Sequence, residues 1–249
     1  MNKNKKWLNL ILPFATFGVV LGAWAIACDK VGNEFILPSI SQTFTEIFAL
    51  LKSTEFYLSL GGTVLRSLIA FLISFGLAFS LAILSVKFKS LDCIIKPIIT
   101  VTRALPTIAV VLLLLLWTNS KIAPVIVTML VVLPTTYTHI ESAYLALDQT
   151  VSEASRADGA DERKVFSMVE FPQMLPTILS AIGSGISLNF KLMVAAEVIA
   201  QTANSIGYML NTSKAYFETA TMFALVCVSV LFGVIIETIF NYLSKKIGR

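Results

Sequence analysis

EASRADGADERKVFSMVEFPQMLP, residues 153–176, is the most polar run in a chain that is otherwise strongly apolar. Seven of its first twelve residues are charged, and Pro172 and Pro176 lie at its end. It does not read as a solvated linker, because apolar residues alternate with polar ones from Val165 to Phe171. Helix formers flank Gly159, where a turn that needs positive φ accepts glycine. The run therefore predicts two short helices meeting at Gly159. Ala154, Ser155, Ala157 and Ala160 are small enough to let another surface approach closely. Phe166, Met168, Val169 and Phe171 supply an apolar anchor. Pro172 and Pro176 are expected to interrupt the helix and re-aim the chain into the next segment.

The rest of the chain sets the solvent in which that run must work. Of 249 residues, 56% are hydrophobic and 14% charged, against about 25% charged in soluble domains. The mean hydropathy is +0.82, which places most of the sequence in lipid. A net charge of +4 without a basic cluster gives no reason to expect nucleic acid. Cys28, Cys93 and Cys227 have neither metal nor redox spacing, and there is one histidine, His139. No metal site is expected from such a set.

Apolar runs of spanning length predict six membrane helices near 8–27, 64–86, 98–118, 122–137, 177–200 and 220–240. Asn119-Ser120-Lys121 joins the third to the short fourth as a tight helical hairpin. Pro106, Pro124 and Pro134 are candidate kinks. Segment 38–60 carries Ile40, Phe44, Ile47, Phe48 and Leu51 at helical spacing and reads as an amphipathic helix. Small residues, Gly61-Gly62 and Gly183-Ser184-Gly185, mark close helix packing.

Lysine and arginine set the direction. Segments 1–7, 87–97, 138–176 and 241–249 hold twelve of them, while the opposite set holds only Lys30, Lys52, Lys121 and Lys214. Arg66, Arg103 and Lys191 fall within the spans. Both termini and the long loop 138–176 are thus expected in the cytoplasm. The basic start followed by Ala25-Ile26-Ala27-Cys28 also has the outline of a signal peptide ending at a lipid-modified cysteine. Its apolar run is longer than a signal core, which favours an uncleaved first span.

The polar run resembles the cytoplasmic signature of bacterial ABC importer permeases: EAA, three residues, glycine, nine residues, then I-x-L-P. Here Glu153-Ala154-Ser155 is followed by three residues and Gly159, and nine more lead to Val169-Glu170-Phe171-Pro172. Ser155, Val169 and Phe171 depart from the pattern by changes of similar size or polarity. The resemblance implies an all-α integral membrane protein of the type I ABC importer fold, forming a single permease domain over 1–249. It also implies that the loop is a coupling helix, with Glu153, Ala154, Gly159, Ala160, Phe166 and Pro172 as ATPase-coupling residues. Glu153 would then contact the loop's own backbone or the ATPase.

Shorter motifs between residues 36 and 240 resemble the taurine, aliphatic sulfonate and nitrate branch, which also takes up aromatic compounds, so the resemblance implies a small solute of one of these kinds. The motifs are Leu37-Pro38-Ser39, Arg66, Arg103-Ala104-Leu105-Pro106-Thr107-Ile108-Ala109, Phe190-Lys191, Ala195-Ala196-Glu197 and Ser205-Ile206-Gly207-Tyr208. The implied partners are a dimer of ABC ATPase subunits, a second permease copy forming a homodimer, and an extracytoplasmic substrate-binding protein. The implied location is the bacterial inner membrane, as a multi-pass protein in contact with lipid. No cofactor is expected on this chain: ATP would bind the partner ATPase, since no G-x-x-x-x-G-K-[ST] run is present here.

Ionisable residues inside spans are functional candidates by default. On a continuous helix Glu197, Gln201 and Asn204 share one face, and Ser184, Ser187 and Lys191 another. Ser187, Lys191, Glu197 and Gln201 are candidates for the translocation pathway. The competing reading pairs Glu197 and Lys191 with Arg66, Arg103 or backbone groups to hold the bundle. A self-contained secondary transporter is the alternative function, but it would need coupling-ion ligands and commonly internal repeats. An intramembrane enzyme would need a clustered nucleophile and base, and the chain is not expected to be an enzyme. Neither alternative explains the pattern at 153–176.

Overall fold

The computed structural model describes residues 3–247, and the regular elements among them are helices. In chain order they are α1 (Lys3–Val31), α2 (Ile40–Leu50), α3 (Thr54–Lys87), α4 (Lys89–Ala104), α5 (Thr107–Trp117) and α6 (Ala123–Leu145). Then come α7 (Gln149–Ala157), α8 (Glu162–Val165), a π-helical turn (Phe166–Glu170), α9 (Phe171–Ala200), α10 (Ile206–Ala215) and α11 (Thr219–Ile247).

Four of these, α3, α6, the run Glu162–Ala200 and α11, are long and apolar enough to cross a membrane. The pair α4 and α5 makes a fifth candidate, bent by 95°. The expected first span, 8–27, lies within α1, several of whose side chains fall outside the described residues, as does Arg249.

Three expectations are corrected. Span 98–118 is not one helix: Pro106 pushes Leu105 to ψ 129°, α4 ends at Ala104, and a new helix begins at Thr107. The amphipathic segment 38–60 is likewise two pieces. Ser39 opens α2 through a reciprocal cap with Gln42, and the helix stops at Leu50 before α3 starts at Thr54. Finally, Pro172 and Pro176 do not interrupt the chain's helix. Pro172 directly follows the π-helical turn, whose wider backbone accommodates its ring and missing N–H, and Pro176 lies inside α9. The loop 138–176 is correspondingly short, because α6 runs on to Leu145.

The chain divides into two compact units, Met1–Tyr57 with Met209–Val228, and Leu58–Tyr208 with Ser229–Arg249. In the first, the Trp24 indole donates to the Pro38 carbonyl at 3.2 Å and lies 5.6 Å from the Phe223 ring. Thr219 donates to the Glu34 carbonyl at 2.9 Å.

In the second unit α6 and α9 form the spine. Tyr137, Ile140 and Tyr144 of α6 and Met174 and Ile178 of α9 are buried with Ala78 and Ala82 of α3 and Ile95 and Ile99 of α4. Lipid supplies little hydrophobic drive between helices, so close approach and internal polar bonds carry the packing. Gly183 lies against Phe240 and Gly185 against the Phe71 ring, with no room for a Cβ at either. Asn189 donates at 2.6 Å to both the carbonyl and the hydroxyl of Ser67. Outward positions are apolar instead: Leu65, Leu72, Leu231 and Ile235 are each more than half exposed.

Candidate functional site: the α7 turn and the polar groups of the spans

Asp148 caps α7 by accepting from the Thr150 N–H at 3.0 Å. The helix ends in a Schellman arrangement. The Ala160 N–H donates to the Ser155 carbonyl at 3.1 Å, the Gly159 N–H to the Arg156 carbonyl at 3.0 Å, and Gly159 takes φ +83°. The two-helix reading around Gly159 is thus what the chain adopts.

What fixes this turn to the spans is an arginine that sequence reasoning left unassigned. Arg156 donates to Glu162 at 2.7 Å and to Glu170 at 2.9 Å. Its hydrogen bond to Glu162 does most to raise the guanidinium's pKa above its ordinary value. The Glu170 side chain is only 2% exposed and also accepts from the Tyr144 hydroxyl at 3.1 Å. One arginine therefore joins α7 to α8, to the π-helical turn and, through Glu170, to α6. The one legible signal was a glutamate standing in the apolar run from Phe166 to Phe171.

The coupling candidates divide by placement. Glu153, Ala154, Gly159 and Pro172 are exposed and Ala160 is half-buried. The Glu153 side chain makes no hydrogen bond or ion pair among the described residues, so it does not cap its own loop. Phe166 turns inward: the Lys87 ammonium sits 4.9 Å from its ring centroid and the Phe171 ring 6.3 Å away. Met168, by contrast, is 73% exposed.

A second polar centre lies within the spans. Glu197 of α9 is fully buried and paired with Arg66 of α3 at 2.8 Å. Thr63 donates to the same carboxylate at 2.8 Å, and the Thr63 hydroxyl accepts from the Ile206 N–H at 3.0 Å. Arg66 also donates to the Asn204 carbonyl at 3.0 Å. Gly207 packs so closely on Glu197 that a Cβ there would overlap Glu197 and Val198. The expected stripe of Glu197, Gln201 and Asn204 does not form. α9 stops at Ala200, and Gln201 and Asn204 both adopt positive φ in the connection to α10. Ser187 is buried, and Lys191 is exposed on α9.

Residues 74–249 match the family described as the binding-protein-dependent transport system inner membrane component. The chain belongs to that family. The permease is 22% identical over 250 residues, 99% of both chains, to a probable ABC transporter permease protein of Brucella melitensis. It is 24% identical to the putative aliphatic sulfonates transport permease protein SsuC of Bacillus subtilis, over 98% of this chain and 88% of that one. The taurine transport system permease protein TauC of Escherichia coli is 22% identical, over 96% and 89%.

Among solved structures, the permease superposes on a chain of the inward-facing MetNI methionine ABC transporter. The TM-score is 0.68 at 16% identity, over 77% of this chain and 95% of that one. A bacterial alginate ABC transporter, solved with an alginate pentasaccharide-bound periplasmic protein, gives 0.68 at 13% identity, over 99% and 96%. These likenesses establish the type I importer fold. The permease is a membrane subunit of an ABC importer.

Proposed function

We propose that α7 is the surface through which a separate ATPase drives this permease, and that the transported solute is a small molecule of the sulfonate, taurine or nitrate kind. The observation that carries the first half is the α7 turn. Its exposed face holds Ala154, Gly159 and Glu153, whose side chain makes no hydrogen bond or ion pair among the described residues, while its other face is tied into the spans by Arg156. A force applied to such a helix reaches α6 and α9 without passing through a flexible linker. The lysine and arginine asymmetry supports a cytoplasmic position for this turn and for both termini. The names of the SsuC and TauC relatives support the substrate class.

The cycle follows from these parts. ATP closes a pair of ATPase subunits, two α7 helices are drawn together across a permease homodimer, and the spans open toward an extracytoplasmic binding protein. ATP stays on the ATPase, and this chain supplies the path.

The test is purification of the tagged permease from gently solubilised membranes, beside a Gly159→Asp variant. A stoichiometric ATPase with the wild type, lost in the variant, is the expected result. No ATPase with either protein, both stably inserted, would contradict the reading and return weight to a self-contained transporter.

A further inference from the structure

Lys191 is an exposed ammonium within the span expected at 177–200. Nine residues separate it from the end of α9 at Ala200, which places it roughly 14 Å below that end. The hydrocarbon layer is about 30 Å thick, and a span over 177–200 would hold Lys191 near its middle. Its stem is too short to carry the charge to the headgroups, and a charge facing lipid there is costly. None of the ion pairs among the described residues includes it: Glu197 is held by Arg66, and Glu237 forms no ion pair with Lys191.

A second group points the same way. Ser187, one turn before Lys191 on the same face, is 1% exposed, and its hydroxyl has no hydrogen-bond partner. Both side chains flank Gly233 of α11: a Cβ built there would lie 3.0 Å from Ser187 Oγ and 3.4 Å from Lys191 Cε. The face continues as Ser184 and Ser180, but those hydroxyls are satisfied, by the Ser180 carbonyl at 3.1 Å and by Asn241 at 3.0 Å. The unsatisfied donor and the unpaired cation are therefore neighbours beside Gly233.

We propose that Lys191 and Ser187 form an anion-selecting position on the solute path of this permease, taking small oxyanions such as organic sulfonates. This rests on the importer reading above and adds the residues that would meet the solute's charge. An ammonium with an adjacent hydroxyl donor matches an oxyanion, which accepts hydrogen bonds and carries the opposite charge. An aqueous path also accounts for how the charge is solvated, and it disfavours cations.

The experiment uses the complex purified with its ATPase, in a background where Cys28, Cys93 and Cys227 are serine and Ser187→Cys supplies one thiol. Two methanethiosulfonate reagents of similar size are compared, one bearing a sulfonate and the other a trimethylammonium. With Lys191 present, the sulfonate reagent is expected to react about tenfold faster relative to the cationic one than it does in Lys191→Met. Lys191→Arg should keep the preference. Slowing of the sulfonate reagent by taurine or by nitrate distinguishes an organic from an inorganic source. A thiol reached by neither reagent, with or without ATP, or a ratio indifferent to Lys191→Met, overturns the proposal. Absence of the ATPase from the purified wild type would instead sink the importer reading on which it depends.

Discussion

Arg66 and Glu197, 131 residues apart in sequence, meet at 2.8 Å with the carboxylate fully buried and the guanidinium 17% exposed. This pair closes a ring through Thr63, the Ile206 N–H and the Asn204 carbonyl, so the connection after α9 is clamped onto the start of α3. Removing one partner leaves an uncompensated buried charge. Arg66→Ala should cost about 3–5 kcal/mol, while Arg66→Met combined with Glu197→Met should cost less than the sum of the single changes. Thermal unfolding of the detergent-solubilised protein reads both.

Gly207 tests the same clamp without touching a charge. A side chain there overlaps Glu197 and the backbone of Val198. Gly207→Val is expected to destabilise by about 1–3 kcal/mol as overpacking, and to speed proteolysis between residues 201 and 206. Gly61→Ala, where a Cβ meets nothing within 4 Å, is the control and should leave both readings unchanged.

Arg156 should act on transmission. Arg156→Ala leaves Glu170 buried with only Tyr144 as partner. Amide exchange in α7 should rise while that in α6 is unchanged, and ATP hydrolysis should no longer depend on the binding protein. Exchanging the charges, Arg156→Glu with Glu170→Arg, should restore part of the coupling. If Arg156→Ala left hydrolysis fully dependent on the binding protein, the turn would not be transmitting through this residue.

Gly159 holds φ +83° with open space around it. The expected cost of Gly159→Ala is therefore backbone strain alone, about 1–2 kcal/mol, confined to the turn. Circular dichroism should change little, and ATPase retention should fall less than with Gly159→Asp, which adds a charge to the proposed docking surface.

The sequence was most informative where chemistry is local. A glycine between helix formers was enough to place the α7 turn, because the Schellman bonds join neighbours only. Apolar length was enough to locate the long helices. It was less informative where distant residues decide. Which cation Glu197 would choose among Arg66, Arg103 and Lys191 depends on helix packing, and Arg103 is instead bound to the Pro134 carbonyl and to Thr138. Proline was an uneven guide: the kink expected at Pro106 is present, while the break expected at Pro172 is not. Pro106 ends a helix and turns the chain by 95°, whereas Pro172 is accommodated directly after π-helical backbone. The difference lies in the backbone before each proline, which residue type alone does not fix.

The central claim is that α7 meets the ATPase, and site-directed cross-linking tests it most directly. Ala154→Cys and Lys121→Cys sit beyond opposite ends of α6, in separate variants lacking the native cysteines. With a short thiol-to-amine cross-linker in intact membranes, Ala154→Cys should yield a covalent adduct containing the ATPase, and Lys121→Cys should not. An adduct at Lys121, or none at Ala154 while the ATPase still co-purifies, would contradict the account.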